Sequence, residues 1–164
     1  RFASLLFAML MVGMTAVMLL LVWDSKSGFN PAPLLTFIGM IWANDTGAYL
    51  VGKPLGKHKL MPRVSPGKSW EGLIGGVMLA GLVAWWLMGW EWAWVGVLLG
   101  VAATAGDLVE SAWKRGHGIK DSGSILPGHG GVLDRFDGFL FAAPIFVLLV
   151  HYFEIQFFFN LFFI

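Results

Sequence analysis

The sequence predicts an all-α fold, a polytopic bundle of transmembrane helices with its charged loops on the cytoplasmic face. Three observations predict it. Hydrophobic residues make up 57% of the 164 residues and charged residues 13%, against about 25% charge in an ordinary soluble domain. Mean hydropathy is +0.73. The apolar runs are continuous and reach the ~20 residues that a helix needs to span the hydrocarbon, rather than alternating as β-barrel strands do.

Five spans are expected, in a single transmembrane domain over residues 1–164. The first covers 2–23, "FASLLFAMLMVGMTAVMLLLVW", an apolar run longer than the ~7–15 residues of a signal-peptide core. The second covers 34–51 and is apolar until "NDT" interrupts it near its end. Spans over 72–90 and 92–112 follow, divided by "WEW". The last covers 138–163, long enough to tilt or to end in an interfacial segment near Glu154. Residue 1 is arginine and an apolar run begins at once, so this domain is expected to be the C-terminal part of a longer protein.

Charge fixes the expected orientation. Residues 52–71 hold Lys53, Lys57, Lys59, Arg63 and Lys68, and residues 113–137 hold Lys114, Arg115, Lys120 and Arg135. The other connections, 24–33 and 90–92, hold only Lys26 among basic residues. Lys/Arg excess marks the cytoplasmic side, so both rich segments are placed there, with residue 1 inside and residue 164 outside. Trp23, Trp90, Trp92 and Trp94 fall near span ends, where indole rings favour the interface. "GLIGG" (72–76) and "GVLLG" (96–100) have the small-xxx-small spacing of close helix contacts. Packing within the chain is the favoured reading, with a homodimer seam as the alternative. The chain has no cysteine, which excludes disulfides, thiolate chemistry and cysteine-ligated zinc. A net charge of +1 says little by itself, and no nucleic-acid partner is expected.

Ionisable groups within spans are costly and mark function by default. Asp45, in "WANDTGAYLVG", and Asp107, in "ATAGDLVESAWKRG", are such groups; the alternative is simple solvation at the interface. Asp107, Glu110, Ser111 and Lys114 follow the spacing i, i+3, i+4, i+7, which puts all of them on one helix face. Two carboxylates and a lysine on one stripe suit a cation and a phosphate together; the alternative is charge pairing that solvates a helix end.

"PGHGG" follows, a glycine-rich turn whose backbone amides can approach an anion closely. "LDRFD" comes next, at the expected start of the last helix. Asp134 and Asp137 share a face if that helix has begun. Magnesium takes oxygen ligands, commonly one or two carboxylates plus substrate phosphates. Asp107 and Asp134, from successive helices, can supply them, and a helix start favours phosphate. "VSPGKS" (64–69) reads as a phosphate-cradling turn without full P-loop spacing and with no strand before it. The basic residues around it answer equally to the positive-inside rule and to anionic headgroups.

The stretch "SAWKRGHGIKDSGSILPGHGGVLDRFD" (111–137) closely resembles the signature of the phosphatidate cytidylyltransferases, also called CDP-diacylglycerol synthases. It is met by Ser111, Lys114, Arg115, Lys120, Asp121, Gly123, Pro127, His129, Gly130, Gly131, Asp134, Arg135 and Asp137. "NDTGAYLVGKPLGKHKLMPRVSPGKSWEGLIGG" (44–76) resembles the family's other basic segment. Trp113 departs from the family, which more often has an aliphatic residue or phenylalanine there. Members are generally longer, with further spans before the matching region.

The resemblance implies transfer of a cytidylyl group from CTP to phosphatidate, giving CDP-diacylglycerol and pyrophosphate in phospholipid synthesis. It implies magnesium, with a monovalent cation such as K⁺ beside it. Metal falls on Asp107 and Asp134, with Glu110, Asp137 and Asp45 as further candidates; the catalytic set is Lys114, Asp107 and Asp134. Substrate binding falls on Lys53, Lys57, Ser65, Lys68, Arg115, Lys120, His129, Gly130, Gly131 and Arg135. His129 is equally readable as a turn residue without chemistry. The expected partners are CTP, phosphatidate, membrane lipids and a second copy in a homodimer. The expected location is the bacterial inner membrane, with the site facing the cytoplasm. Competing readings are a CTP-dependent polyprenol or phytol kinase, an inactive structural membrane subunit, and a transporter. The transporter predicts polar groups spread along the spans, whereas here they cluster at one face.

Overall fold

A computed structural model describes residues 28–116 and 133–153, the pair 23–24 and single positions 13, 16 and 118; for 23, 24, 28 and 133–137 only the backbone is described. The expected span 2–23 therefore lies almost wholly outside the described residues. Among the described residues four long helices dominate: α1 (Ala32–Leu55), α2 (Trp70–Met88), α3 (Ala93–Gly116) and α4 (Leu133–Phe153). α2 and the segment Trp90–Gly116 are long and apolar enough to cross a membrane, and Gly138–Phe153 is a shorter apolar helix.

The helical expectation holds for the bulk of the described residues, with two small additions. Two short antiparallel hairpins accompany the helices: β1 (Trp23–Asp24) with β2 (Gly28–Phe29), and β3 (Lys59–Met61) with β4 (Ser65–Ser69). "VSPGKS" is consequently mostly strand rather than a free turn. The chain reverses after Met61, where Val64 N donates to Met61 O at 3.1 Å. The register runs from Lys59↔Ser69 to Met61↔Ser65 with an irregularity between. A two-stranded ribbon consists of edges, so Pro66 is tolerated in it despite lacking an N–H.

The helix boundaries have local causes. α1 begins with Pro31 and Pro33 around its first turn, where a missing N–H costs nothing, and Asn30 Oδ1 accepts from Ala32 N at 3.0 Å. The helix continues through Asn44, Asp45 and Thr46 to Leu55, beyond the expected end at 51. Pro54 and then Gly56, whose N–H donates to Gly52 O, bring it to a close. Ser69 caps α2 by accepting from Gly72 N at 3.1 Å. α2 ends at Gly89, whose φ of +101° favours glycine. A single 3₁₀ turn, Trp90–Trp92, then leads into α3.

Glycines set the helix spacing on the inner seams. A Cβ on Gly47 of α1 would fall 2.6 Å from Gly75 O of α2, and one on Gly96 of α3 would collide with Ala80 O of α2. The glycine pairs noted in the sequence thus serve packing within the chain. This suits a bilayer, where helices associate through close contact rather than by escaping water. The core lies between the helices, where Phe37, Met40, Ile41, Met88, Leu99 and Phe146 are almost fully buried. Phe37 stacks on Phe146 with ring centroids 5.4 Å apart and meets Phe139 edge-on at 5.5 Å. At one end Trp92, Trp94 and Phe153 form an aromatic cluster with centroids 5.9–6.3 Å apart.

Candidate active site

α1 and α3 finish, and α2 and α4 begin, at the end of the bundle opposite that cluster. A cavity of about 720 Å³ opens there. α1 contributes Asn44, Asp45, Tyr49 and Lys53 to its wall; β4 and the start of α2 contribute Lys68, Ser69 and Gly72; α3 contributes Thr104, Asp107 and Lys114; α4 contributes Gly138 and Phe139. Each charged wall residue sits in or beside the last turns of an apolar helix, or on the hairpin crossing the bundle end, so the apolar interior leads directly to a polar mouth.

Asp107 is held at both oxygens. Ser111 Oγ donates to Oδ1 at 3.3 Å, and Lys68 Nζ forms an ion pair with Oδ2. The polar stripe on α3 is therefore partly resolved into i, i+4 pairs, the other being Lys114 Nζ with Glu110 Oε1 at 3.3 Å. That second pair does not merely solvate a helix end. The Lys114 and Glu110 side chains are 10% and 9% exposed, and an ammonium so buried needs a carboxylate partner. Lys114 still reaches the cavity wall, whereas Glu110 is not part of it. Lys53 Nζ donates to Tyr49 Oη at 2.8 Å and lies 5.0 Å from its own partner's ring centroid, at the exposed rim.

The hairpin carrying Lys68 is fastened at its base. His58 Nδ1 lies 2.6 Å from Glu71 Oε1, the His58 backbone N–H reaches the same carboxylate at 3.2 Å, and Trp70 N donates to His58 O at 2.9 Å.

Of the candidate residues read from the sequence, the structure brings Asp45, Lys53, Lys68, Asp107 and Lys114 to one cavity. Lys57, Ser65 and Arg115 lie outside its lining, with Lys57 and Arg115 exposed. Lys120, His129, Gly130 and Gly131 lie outside the described residues. The backbone at Asp134, Arg135 and Asp137 is already helical, in the opening turns of α4, so the condition for Asp134 and Asp137 to share a face is met. Among the described residues no three Asp, Glu or His side chains gather as a metal site. Asp45 and Asp107 nevertheless line one cavity from separate helices, a donor set that suits magnesium when phosphates complete it.

The sequence reading passed over Asn44, Tyr49, Ser69 and Thr104. Asn44 is 2% exposed, and its Oδ1 has no hydrogen-bond donor among the described residues. Its signal was present in "NDT", a polar amide next to Asp45 within an apolar run.

Residues 1–153 match the family model described as the cytidylyltransferase family. The chain belongs to the cytidylyltransferase family. Among relatives, it is 40% identical over 162 residues to a phosphatidate cytidylyltransferase of Staphylococcus aureus (strain COL), covering 91% of this chain and 60% of that protein. It is 37% identical over 157 residues to the enzyme of that name from Staphylococcus saprophyticus, with the same coverage. It is 46% identical over 119 residues to that of Staphylococcus haemolyticus (strain JCSC1435), covering 68% of this chain and 46% of that protein. The chain thus spans about 60% of the length of the first of these relatives. Its membership of the family and its apolar helices mark it as a membrane protein.

Proposed function

We propose that the protein to which this chain belongs transfers the cytidylyl group of CTP to phosphatidate, giving CDP-diacylglycerol and pyrophosphate. The observation that carries this reading is the cavity wall, where Asp45, Lys68, Asp107 and Lys114 converge at one end of apolar helices. A lipid phosphate anchored at the bilayer surface and a soluble triphosphate can meet there. The phosphatidate phosphate oxygen attacks the α-phosphorus of CTP. A new P–O bond forms, the bond from the α-phosphorus to the bridging oxygen breaks, and pyrophosphate leaves with that electron pair. The attacking phosphate is already ionised near neutral pH, so no strong general base is needed. Positioning and charge neutralisation do most of the work, as in related phosphoryl chemistry.

In this reading Lys114 holds the attacking phosphate or the charge that develops on it, while Lys53 and Lys68 take triphosphate oxygens. Lys120, Arg135 and the amides of Gly130 and Gly131 serve the same anion, with His129 as a further donor. Asp107 and Asp134, joined by Asp45, would hold magnesium, with a monovalent cation such as K⁺ beside it. Bound magnesium supplies neutralisation of the triphosphate and of the leaving pyrophosphate.

The same reading places five spans in the bacterial inner membrane with the cavity facing the cytoplasm. The clustering of basic residues at 52–71 and 113–137 supports that orientation. A homodimer would use outer helix faces, such as the one with Ile74, Met78 and Leu82, because the inner glycine seams are taken up within the chain.

The deciding experiment assays membranes holding the full-length protein for pyrophosphate release that depends on CTP, phosphatidate and magnesium. CDP-diacylglycerol is expected as the lipid product, lost in Asp107→Asn and Asp134→Asn variants that still insert and fold. Release of CDP would make the protein a CTP-dependent lipid kinase. Neither product from a folded parent would leave a structural subunit.

A further inference from the structure

Lys68 bears on a question that the reaction itself leaves open: what neutralises Asp107 before the substrates arrive. Asp107 has its Oδ1 bonded to Ser111 of its own helix and its Oδ2 paired with Lys68 of β4. The Lys68 and Asp107 side chains are 26% and 34% exposed, so the pair is partly withdrawn from water, at a carboxylate that also faces the cavity. A divalent cation needs at least one of those oxygens. Ser111 can stay, because a hydroxyl bonded to one oxygen leaves lone pairs on both. An ammonium against Oδ2 cannot easily stay, because it occupies the second oxygen and repels a dication.

The lysine also has somewhere to go. It belongs to a two-stranded ribbon rather than to a packed helix, and its side chain is 26% exposed and faces the cavity. The ribbon is pinned at the far side of the lysine by Ser69 and by the His58–Glu71 contact. A change of rotamer therefore suffices, without release of the hairpin. The same cavity that takes the metal takes the triphosphate, so the displaced ammonium finds phosphate oxygens within the space it already faces.

We propose that Lys68 and a divalent cation compete for the Asp107 carboxylate, Lys68 neutralising it when no cation is bound and passing to the nucleotide phosphates when metal and CTP enter together. The inference rests on the reading of Asp107 as a metal ligand. It predicts that metal binds weakly alone and tightly with nucleotide, because only the nucleotide provides a new partner for the lysine.

The test uses the full-length protein in nanodiscs and Mn²⁺ as the probe, titrated by electron paramagnetic resonance without and then with CTP. Without nucleotide, Lys68→Met is expected to bind Mn²⁺ about tenfold more tightly than the parent, a size that the removal of one adjacent charge readily supplies. Lys68→Arg should stay near the parent. Lys53→Met, which removes a charge from the same cavity but one bonded to Tyr49 rather than to Asp107, should shift the affinity far less. With CTP present the order should reverse, the parent binding Mn²⁺ more tightly than Lys68→Met. Equal affinities of parent and Lys68→Met without nucleotide would overturn the competition while leaving the transferase reading intact if CDP-diacylglycerol is still made. An equal gain in Lys53→Met would overturn it too, since general repulsion would then explain both. Absence of Mn²⁺ binding in every variant, together with absence of product, would remove the metal-site reading and the competition with it.

Discussion

Asn44 of α1 fits into a gap left by Gly100 of α3: a Cβ built on Gly100 would sit 2.7 Å from Asn44 Oδ1. Gly76 of α2 faces the same oxygen, with a built Cβ 2.8 Å away. Three helices therefore meet at one buried amide because two of them have no side chain there. Gly100→Ala is expected to lower stability by about 1–3 kcal/mol, the usual cost of forcing a methyl group into a filled interior. Thermal unfolding of the purified protein in detergent, with Gly116→Ala as an open-space control, checks this.

Asn44 invites a second experiment. A buried acceptor without a donor costs about 1–3 kcal/mol, so Asn44→Ala, which removes it without adding bulk between Gly76 and Gly100, should cost little stability. The residue also lines the cavity, and transfer activity should fall by about tenfold or more. A melting temperature that holds while turnover drops would mark Asn44 as a residue kept for the site. A parallel loss of both would make it merely structural.

Ser111 and Asp107 allow a graded comparison. Ser111→Ala removes one 3.3 Å hydrogen bond from Oδ1 and should reduce kcat several-fold with little change in KM. Asp107→Asn removes the charge and should abolish turnover. Steady-state kinetics on reconstituted protein distinguishes the two, and equal losses would contradict a supporting role for the hydroxyl.

At the entry to α2, Ser69→Ala should cost about 1 kcal/mol, the typical value of a lost N-cap, because its Oγ accepts from Gly72 N in a buried position. The effect should concentrate where the hairpin meets the helix. Hydrogen exchange is expected to quicken at Gly72 and the residues just after it, and to stay unchanged near the Trp92–Phe153 contact.

At the rim, Lys53→Met should raise the KM for CTP several-fold with kcat nearly intact, since an exposed Lys53 would hold a triphosphate oxygen about equally in the ground and transition states. Tyr49→Phe, which removes the hydroxyl bonded to Lys53 at 2.8 Å, should produce a smaller rise in the same direction. Initial-rate measurements at varied CTP settle both.

The helices were legible because apolar runs of bilayer length leave few other structures open. Their ends were less so. The 34–51 run continued as helix through Asn44 and Asp45 because the glycines of two neighbouring helices accept the amide, a fact that concerns three segments at once. The β3–β4 hairpin was hidden by its composition: lysines, an arginine and prolines resemble a solvated loop, and only pairing across the ribbon makes it a strand. Asp107 and Lys114 were found from helical spacing, which is a local property. Their actual partners divide accordingly. Ser111 and Glu110 lie on the same helix and follow from the i, i+4 rule, whereas Lys68 comes from a distant strand and leaves no trace in any periodicity. Asp45 was readable from its place in an apolar run, while the neighbouring Asn44 was overlooked because an amide carries no charge to draw notice.

The tight reversal between α2 and α3 has a consequence for biogenesis. Gly89 and one 3₁₀ turn join the two helices, and the turn contains a single charge, Glu91, among Trp90 and Trp92. In the orientation proposed above, with the two charge-rich ends kept on the side of synthesis, α2 and α3 would enter the bilayer as a preformed helical pair. Only one carboxylate then has to be dragged through the hydrocarbon, and the indole rings around it come to rest at the far headgroup layer as soon as it emerges.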